Sequence, residues 1–156
     1  MCSVQESGSL KHLSLANVPL QDSASEALMR CVARNSTLQT LDLYGCSLGE
    51  PGATQVAGAL AVNTVLERLD LGANNIQLGG LALLSDSIVC NTALGALRLW
   101  GNHFQGFGMD RLLTALYRND TLTELDLTAS GADPDVTKVC LTLHPSSQRT
   151  RGCVFA

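Results

Sequence analysis

One leucine pattern recurs at a constant interval along most of the 156 residues and limits what the chain can fold into. The first leucine of the pattern stands at positions 10, 38, 66, 94 and 122, so each copy begins 28 positions after the one before. In every copy two further leucines follow after three and five positions, as Leu41 and Leu43 follow Leu38. A fixed period of this length predicts a stack of similar units that bury their apolar faces against one another.

Two later positions complete the motif L-x-x-L-x-L-x-x-N/C-x-L. The eighth position after the first leucine holds Val18, Cys46, Asn74, Asn102 and Ser130, and the tenth holds Leu20, Leu48, Ile76, Phe104 and Ala132. At the eighth position we expect Asn74 and Asn102 to hydrogen-bond backbone groups that the stack would otherwise bury unpaired. Cys46 is expected to fill the same place as a small apolar residue.

Each unit is predicted to contain one strand and one helix. The L-x-L segment alternates with a period of two, which is typical of a short strand. The second half of the unit has helical spacing, as in Val56, Ala59 and Leu60, which recur at i, i+3 and i+4. The sequence therefore predicts an α/β solenoid, a short horseshoe arc with parallel strands on its concave face and helices on its convex face.

The motif resembles the leucine-rich repeats of the ribonuclease-inhibitor class. The stretches "LDLGANNIQLGGLALL" and "LRLWGNHFQGFGMDRLL" are most similar to the repeats of NACHT-type (NOD-like) receptors. The resemblance covers residues 10–143 and implies a protein-binding module of the cytoplasm, with the nucleus as a second location. It implies two alternatives: a GTPase regulator similar to Ran GTPase-activating proteins, or a regulatory or sensor fragment of a NACHT-type innate immune receptor.

The ends of the chain flank the repeats. We predict an N-terminal tail at 1–9, five repeats at 10–143 and a C-terminal segment at 144–156 that holds a partial sixth repeat. Continuing the same period once more places Cys153 and Phe155 at the two inward positions of a sixth strand, which would cover the edge of the sheet. The final residues C-V-F-A also match a prenylation pattern, so Cys153 is an alternative lipidation site.

Side chains between the strand leucines are expected to form three columns on the concave face. We predict that seven of them bind a protein partner: Tyr44, Trp100, Asp42, Asp70, Arg98, Asp126 and Arg68. Strand spacing predicts that the two aromatic rings lie about 10 Å apart with a dip between them. Two alternatives stay open: Trp100 folds down over its neighbours, and Asp70 pairs with Arg98 on the adjacent strand.

Other classes of function find little support. A net charge of −4 argues against nucleic acid, and no apolar run is long enough to span a membrane. The six cysteines are irregularly spaced, so we expect reduced thiols, no zinc and no cofactor. His12, His103 and His144 fall in different parts of the repeat, so we predict no enzyme. The first repeat has no polar cap, which leaves three explanations: membership of a longer chain, self-association through the edge at Leu13–Leu15, or coverage of that edge by residues 1–9.

Overall fold

A computed structural model describes residues 8–104 and 109–131, together with the backbone of 152–154. In these residues strands and helices alternate as the period predicts. The strands are β1 (His12–Ser14), β2 (Thr40–Asp42), β3 (Arg68–Asp70), β4 (Ala96–Arg98), β5 (Glu124–Asp126) and β6 (Gly152–Val154). The helices are α1 (Asp22–Arg34), α2 (Gly49–Leu60), α3 (Leu78–Cys90) and α4 (Asp110–Arg118).

The strands form one parallel sheet in chain order, from β1 to β6. Each residue pairs with its equivalent in the next repeat: Leu13 lies beside Leu41, and Leu41 beside Leu69. The same register continues through Leu97 and Leu125. The predicted solenoid and its columns of equivalent residues are therefore confirmed for the described strands.

The sheet lies on the inner side of the arc for a geometric reason. Neighbouring strands are spaced by about 4.8 Å, whereas packed helices need about 8–10 Å between their axes. Each unit is therefore wider on its helical side, and successive units rotate toward the sheet. We call the outward surface of the sheet the concave face.

Leucines from both halves of the repeat fill the space between sheet and helices. Leu41, Leu69 and Leu97 are at most 3% exposed, and the helical residues predicted to face inward are buried as well. These helical residues are Val56, Ala59 and Leu60 in α2, Leu84, Ser87 and Ile88 in α3, and Leu112, Ala115 and Leu116 in α4. No single unit can bury these side chains alone, so the stack itself is the core.

The asparagines of the motif hold the turns after β3 and β4. Asn102 donates its amide to the carbonyls of Leu71 and Leu99, and its oxygen accepts the backbone N–H groups of Asn74 and Ile76. Asn74 makes equivalent bonds one unit earlier, including a 2.8 Å bond to the Leu43 carbonyl. Their predicted role is confirmed. Cys46 is fully buried at the same position, and burial raises the pKa of its thiol.

A second asparagine column, which the sequence analysis did not identify, follows each helix. Its members are Asn35, Asn63, Asn91 and Asn119, each 4% exposed. Asn91 is typical: its amide donates to the Leu60 and Asn63 carbonyls, and its oxygen accepts the N–H groups of Ala93 and Leu94. Asn63 and Asn119 donate to the preceding repeat in the same way, so these three side chains each link two consecutive repeats. Because Asn35 and Asn119 are buried in this way, the two N-x-T sequons that contain them are unsuited to glycan attachment in the folded chain.

The first repeat is less well covered than the others. Leu10, Leu13 and Leu15 are only partly buried, although they pack against the core, and β1 forms one edge of the sheet. The expectation of reduced cysteines is wrong for Cys31 in α1, which is disulfide-bonded. Most of the predicted tail at 1–9 and of the segment at 144–156 lies outside the described residues, so these domain limits stay a prediction.

Candidate interaction surface

Three columns of side chains cover the concave face, as the register requires. The first contains His12, Thr40, Arg68, Ala96 and Glu124, the second Ser14, Asp42, Asp70, Arg98 and Asp126, and the third Ala16, Tyr44, Gly72, Trp100 and Thr128. All seven predicted binding residues lie in these columns. The structure thus brings them to one surface, while their role in binding stays a prediction.

Tyr44 and Trp100 form one stacked pair and not two separate anchors. Their ring centroids are 4.9 Å apart and the ring planes differ by 15°. The predicted wide separation of the rings, with a dip between them, is therefore wrong. The alternative is correct: Trp100 folds down over its neighbours. Both side chains remain partly exposed, so the pair is a small aromatic platform on the concave face.

Gly72 makes this stacking geometrically feasible. It stands between the two aromatic residues in the third column, and the Trp100 ring lies directly over it. A Cβ atom on Gly72 would come within 2.7 Å of Trp100 Cε2 and closer still to Nε1. Glycine is thus required here for close approach. A signal was present in the sequence, since a gap between two large aromatic residues in one column invites one of them to fill it.

The aspartates of the second column have a structural role at the ends of the strands. Asp42 Oδ1 accepts the Tyr44 backbone N–H at 3.0 Å, and Asp70 Oδ1 accepts that of Gly72 at 2.8 Å. Asp126 likewise accepts the backbone N–H and the hydroxyl of Thr128. Each bond closes a turn in which a short polar side chain satisfies a backbone donor. These carboxylates therefore orient the aromatic platform from below.

An ion-pair network joins the first and second columns. Arg98 lies 3.2 Å from a Glu124 oxygen and 3.9 Å from an Asp70 oxygen, and Arg68 lies 3.7 Å from the other Glu124 oxygen. The expected pairing of Asp70 with Arg98 is confirmed. Glu124, which was not among the predicted site residues, is the point where both arginines meet. Its contact with Arg98 is diagonal between adjacent strands, and its contact with Arg68 runs along the first column past the small Ala96.

Asp70 is the carboxylate most affected by its surroundings. Burial raises the pKa of Asp70, and the charges of Asp42 and Asp126 raise it further. The Gly72 N–H and Arg98 act in the opposite direction but do not compensate fully. Removal from water is thus the largest influence on this carboxyl, and its two neighbouring carboxylates add to it.

A shallow cavity of about 210 Å³ opens at this centre. It is lined by Thr40, Leu41, Asp42, Arg68, Leu69, Asp70, Ala96 and Arg98. Ala96 is the smallest side chain of the first column and is 7% exposed, which creates the depression. Asp42 and Asp70 contribute carboxylates from β2 and β3, and Arg68 and Arg98, which also line the cavity, are both ion-paired with Glu124. We call this depression the central pocket.

The two histidines that the structure describes lie far apart on the arc. His12 lies on β1 and His103 follows β4, so three strand spacings separate them; His144 lies outside the described residues. Within 8–104 and 109–131, no group of three or more His, Cys, Asp or Glu residues is placed to hold a metal ion. Cys153, the alternative lipidation site, belongs to β6 and stands opposite Leu125 in the register. Its modification stays a prediction.

The helices α1 to α4 are short and belong to the repeats. Among the helices that the structure describes, none combines the length and the apolar character that a membrane crossing requires.

Comparison with known proteins agrees with the fold. A family model described as "Leucine Rich repeat" matches residues 34–57 and 62–85. A search of curated protein sequences finds no significant match. Among solved structures, the leiomodin-1 actin-binding site 2 is similar, with 17% identity, a TM-score of 0.82, and coverage of 90% of this chain and 82% of that one.

A second similar structure is the C-terminal domain of tropomodulin from Caenorhabditis elegans. It has 14% identity, a TM-score of 0.78, and coverage of 90% of this chain and 86% of that one. Identities this low establish the fold alone. The repeat motif, the family match and the architecture agree in showing a leucine-rich-repeat protein with an α/β solenoid fold.

Proposed function

We propose that this chain is a non-catalytic interaction module that binds a protein partner on its concave face. The observation that carries the proposal is the partly exposed stack of Tyr44 and Trp100. Large aromatic side chains that are held rigid at a surface are frequent anchors of protein interfaces, because they bury much area and lose little conformational entropy on binding.

The surroundings of the platform support this role. Turns closed by Asp42 and Asp70 hold the backbone beneath the rings, and the sheet beneath is packed on a fully buried leucine core. A partner would therefore meet a preorganised surface, which lowers the entropic cost of association. In this proposal Asp42, Asp70, Asp126, Arg68 and Arg98 supply charge complementarity around the platform.

The proposal can be tested by quantitative affinity capture from cells, with single substitutions on opposite faces. Trp100→Ala and Tyr44→Ala are expected to lower recovery of a common set of partners by about tenfold or more, as removal of an interface anchor does. Tyr117→Ala is the matched control, because Tyr117 is an aromatic residue of α4 that is 69% exposed on the helical side. If all three variants recover the partners as well as the parent chain does, concave-face binding is refuted.

A second candidate function is actin binding. The observation that favours it is the structural likeness to the leiomodin-1 actin-binding site 2 over 90% of this chain. Co-sedimentation with filamentous actin, and the rate of pyrene-actin assembly, would test it. No effect on either measurement would exclude actin as the partner without affecting the proposed use of the concave face.

The remaining alternatives are those that the sequence resemblance implied. A GTPase regulator similar to Ran GTPase-activating proteins is tested by measuring GTP hydrolysis by small GTPases with and without the chain. Four statements stay predictions: that the repeats belong to the ribonuclease-inhibitor class, that the chain derives from a NACHT-type receptor, that it self-associates, and that it resides in the cytoplasm. Sedimentation equilibrium at micromolar concentration tests self-association, because a monomer of 16.4 kDa would contradict it.

A further inference from the structure

We propose that the central pocket receives a lysine or arginine side chain of the partner, so that the docking segment of the partner is basic. This inference rests on the proposed function, since it specifies the chemistry of the same surface. It depends on three observations: the shape of the pocket, the positions of its charges, and its distance from the aromatic platform.

The pocket suits a side chain with an apolar stem and a charged end. Most of its surface is apolar, with the small Ala96 side chain beneath it, while Leu41 and Leu69 of the same strands turn their side chains to the core. Its rim carries Thr40 and Asp42 on β2. Lysine and arginine place a flexible hydrocarbon stem against apolar surface and keep the charged group among polar atoms.

The charges of the pocket are unequally paired. Both arginines are drawn toward Glu124, which lies 3.2 Å from Arg98 and 3.7 Å from Arg68. Arg98 reaches Asp70 only at 3.9 Å. Asp42 accepts hydrogen bonds from the Ser14 hydroxyl and the Tyr44 N–H but has no cationic partner among the described residues. A cation in the pocket would give the Asp42 carboxylate an ion-pair partner.

The sign of the local field agrees with this assignment. The lining carries two carboxylates, Asp42 and Asp70, and two guanidinium groups, Arg68 and Arg98; counting Glu124, with which both arginines are paired, leaves a net charge of −1 (2 − 3). Burial raises the pKa of Asp70, and the Asp42 and Asp126 charges add to this effect. A positive side chain near these groups would lower the cost of their ionisation.

The pocket also lies beside the aromatic platform. Asp42 and Tyr44 are two residues apart on the same face, which corresponds to about 6.6 Å along an extended strand. One short segment of a partner can therefore place a basic side chain in the pocket and an apolar side chain on the Tyr44–Trp100 stack. The stem of the basic residue would pass close to the rings, where a cation is attracted to the aromatic faces.

The test is an NMR titration of the isotope-labelled chain with four blocked tripeptides: Gly-Arg-Gly, Gly-Lys-Gly, Gly-citrulline-Gly and Gly-Glu-Gly. Citrulline has the shape of arginine without its charge. We expect the arginine or lysine peptide to shift the amide signals of Asp42, Asp70 and Gly72. The citrulline peptide should bind about three- to tenfold more weakly than the arginine peptide. The lower factor corresponds to the loss of an exposed ion pair, and the higher factor to the loss of a charge-assisted hydrogen bond.

Two matched variants locate the effect. Asp42→Asn keeps the oxygen that accepts the Tyr44 N–H, removes the charge, and should weaken the arginine peptide by the same factor. Asp126→Asn removes an equal charge from the same column outside the pocket lining, and should change affinity less than about twofold. Spectra of both variants report whether they remain folded. Any one of four results would overturn the inference. The citrulline and arginine peptides bind equally well, the glutamate peptide binds more tightly, Asp42→Asn leaves the affinity of the arginine peptide unchanged, or no amide signal of the pocket residues shifts.

The two proposals fail in different ways. If Trp100→Ala reduces partner capture and Asp42→Asn does not, the concave face binds but the pocket is not the site for a basic residue. If the arginine peptide binds at Asp42 while Trp100→Ala leaves capture unchanged, the pocket exists and the proposed function is wrong.

Discussion

Replacing Gly72 by alanine should separate the Tyr44–Trp100 stack. The new Cβ would come within 2.9 Å of three atoms of the Trp100 ring, Nε1, Cε2 and Cδ1. The ring is large and rigid and covers this position, so it must swing away from Gly72. The backbone φ of Gly72 is not among the left-handed values of the chain, and alanine can adopt its conformation.

The expected change in stability is small because two effects oppose each other. Losing a stacked aromatic pair costs about 0.5–1.5 kcal/mol beyond its buried area. Replacing glycine by alanine at a compatible φ gains about 0.4–1 kcal/mol by restricting the unfolded chain. The free energy of unfolding should therefore fall by less than about 1 kcal/mol, while the position of the ring changes substantially. Spectroscopy is the sensitive assay, and thermal melting is not.

Trp100 is the only tryptophan of the chain, so its spectra report on this site alone. In Gly72→Ala we expect a red-shifted emission maximum, stronger quenching by iodide, and loss of near-ultraviolet circular dichroism from the coupled rings. Gly58→Ala is the control: Gly58 lies in α2 with open space around its Cβ position. It should stabilise the chain by about 1 kcal/mol and leave the Trp100 spectra unchanged. Unchanged spectra in Gly72→Ala would refute the reasoning.

Three further predictions concern stability. Asn91→Ala removes four hydrogen bonds to buried backbone groups and should lower the free energy of unfolding in urea by about 3 kcal/mol. Gly80→Ala should lower the melting temperature, in contrast to Gly58→Ala, because its Cβ would meet Ala53 Cβ at 2.7 Å across the helix interface; overpacking costs about 1–3 kcal/mol. Because the pKa of Asp70 is raised in the folded state, its carboxyl favours folding below its unfolded pKa and loses this contribution as pH rises through the folded pKa. Urea titrations should therefore show that the stability of the parent chain relative to Asp70→Asn decreases as pH rises from the unfolded to the folded pKa of Asp70.

Each of these has an outcome that contradicts it. An unfolding midpoint of Asn91→Ala equal to that of the parent would mean that the second asparagine column is not a structural link. A higher melting temperature for Gly80→Ala would mean that α2 and α3 are less closely packed at this point. A pH-independent difference in stability between the parent chain and Asp70→Asn would mean that the carboxyl is not perturbed by folding.

The constant period explains how much of this fold could be predicted. With no insertion in the register of the repeats, the neighbour of every strand residue follows by addition, as in the pairing of Leu41 with Leu69. Burial follows as well, since the alternation within each strand assigns Leu41 to the core and Asp42 to the surface. What the period cannot specify is the rotamer of a side chain that has room on more than one side.

Trp100 is an example of that limit. Its column and face were predicted correctly, but its ring position depends on the missing Cβ of Gly72 on the neighbouring strand. The asparagine column after the helices is a different case. Asn63 and Asn91 recur with the period of the repeat, each three positions before an aligned leucine, so the signal was periodic and available. The backbone hydrogen bonding of this column was nevertheless missed.

Site-specific photocrosslinking tests the central claim, partner binding on the concave face, most directly. The crosslinker benzoylphenylalanine would replace Thr128, which lies beside Trp100 in the third column, or Thr54, which is exposed on α2. Both positions are threonines on well-defined elements, so the pair differs mainly in the face it samples. The account predicts discrete partner adducts in cells from position 128, weakened by Tyr44→Ala, and none from position 54. Adducts from position 54 alone would contradict it.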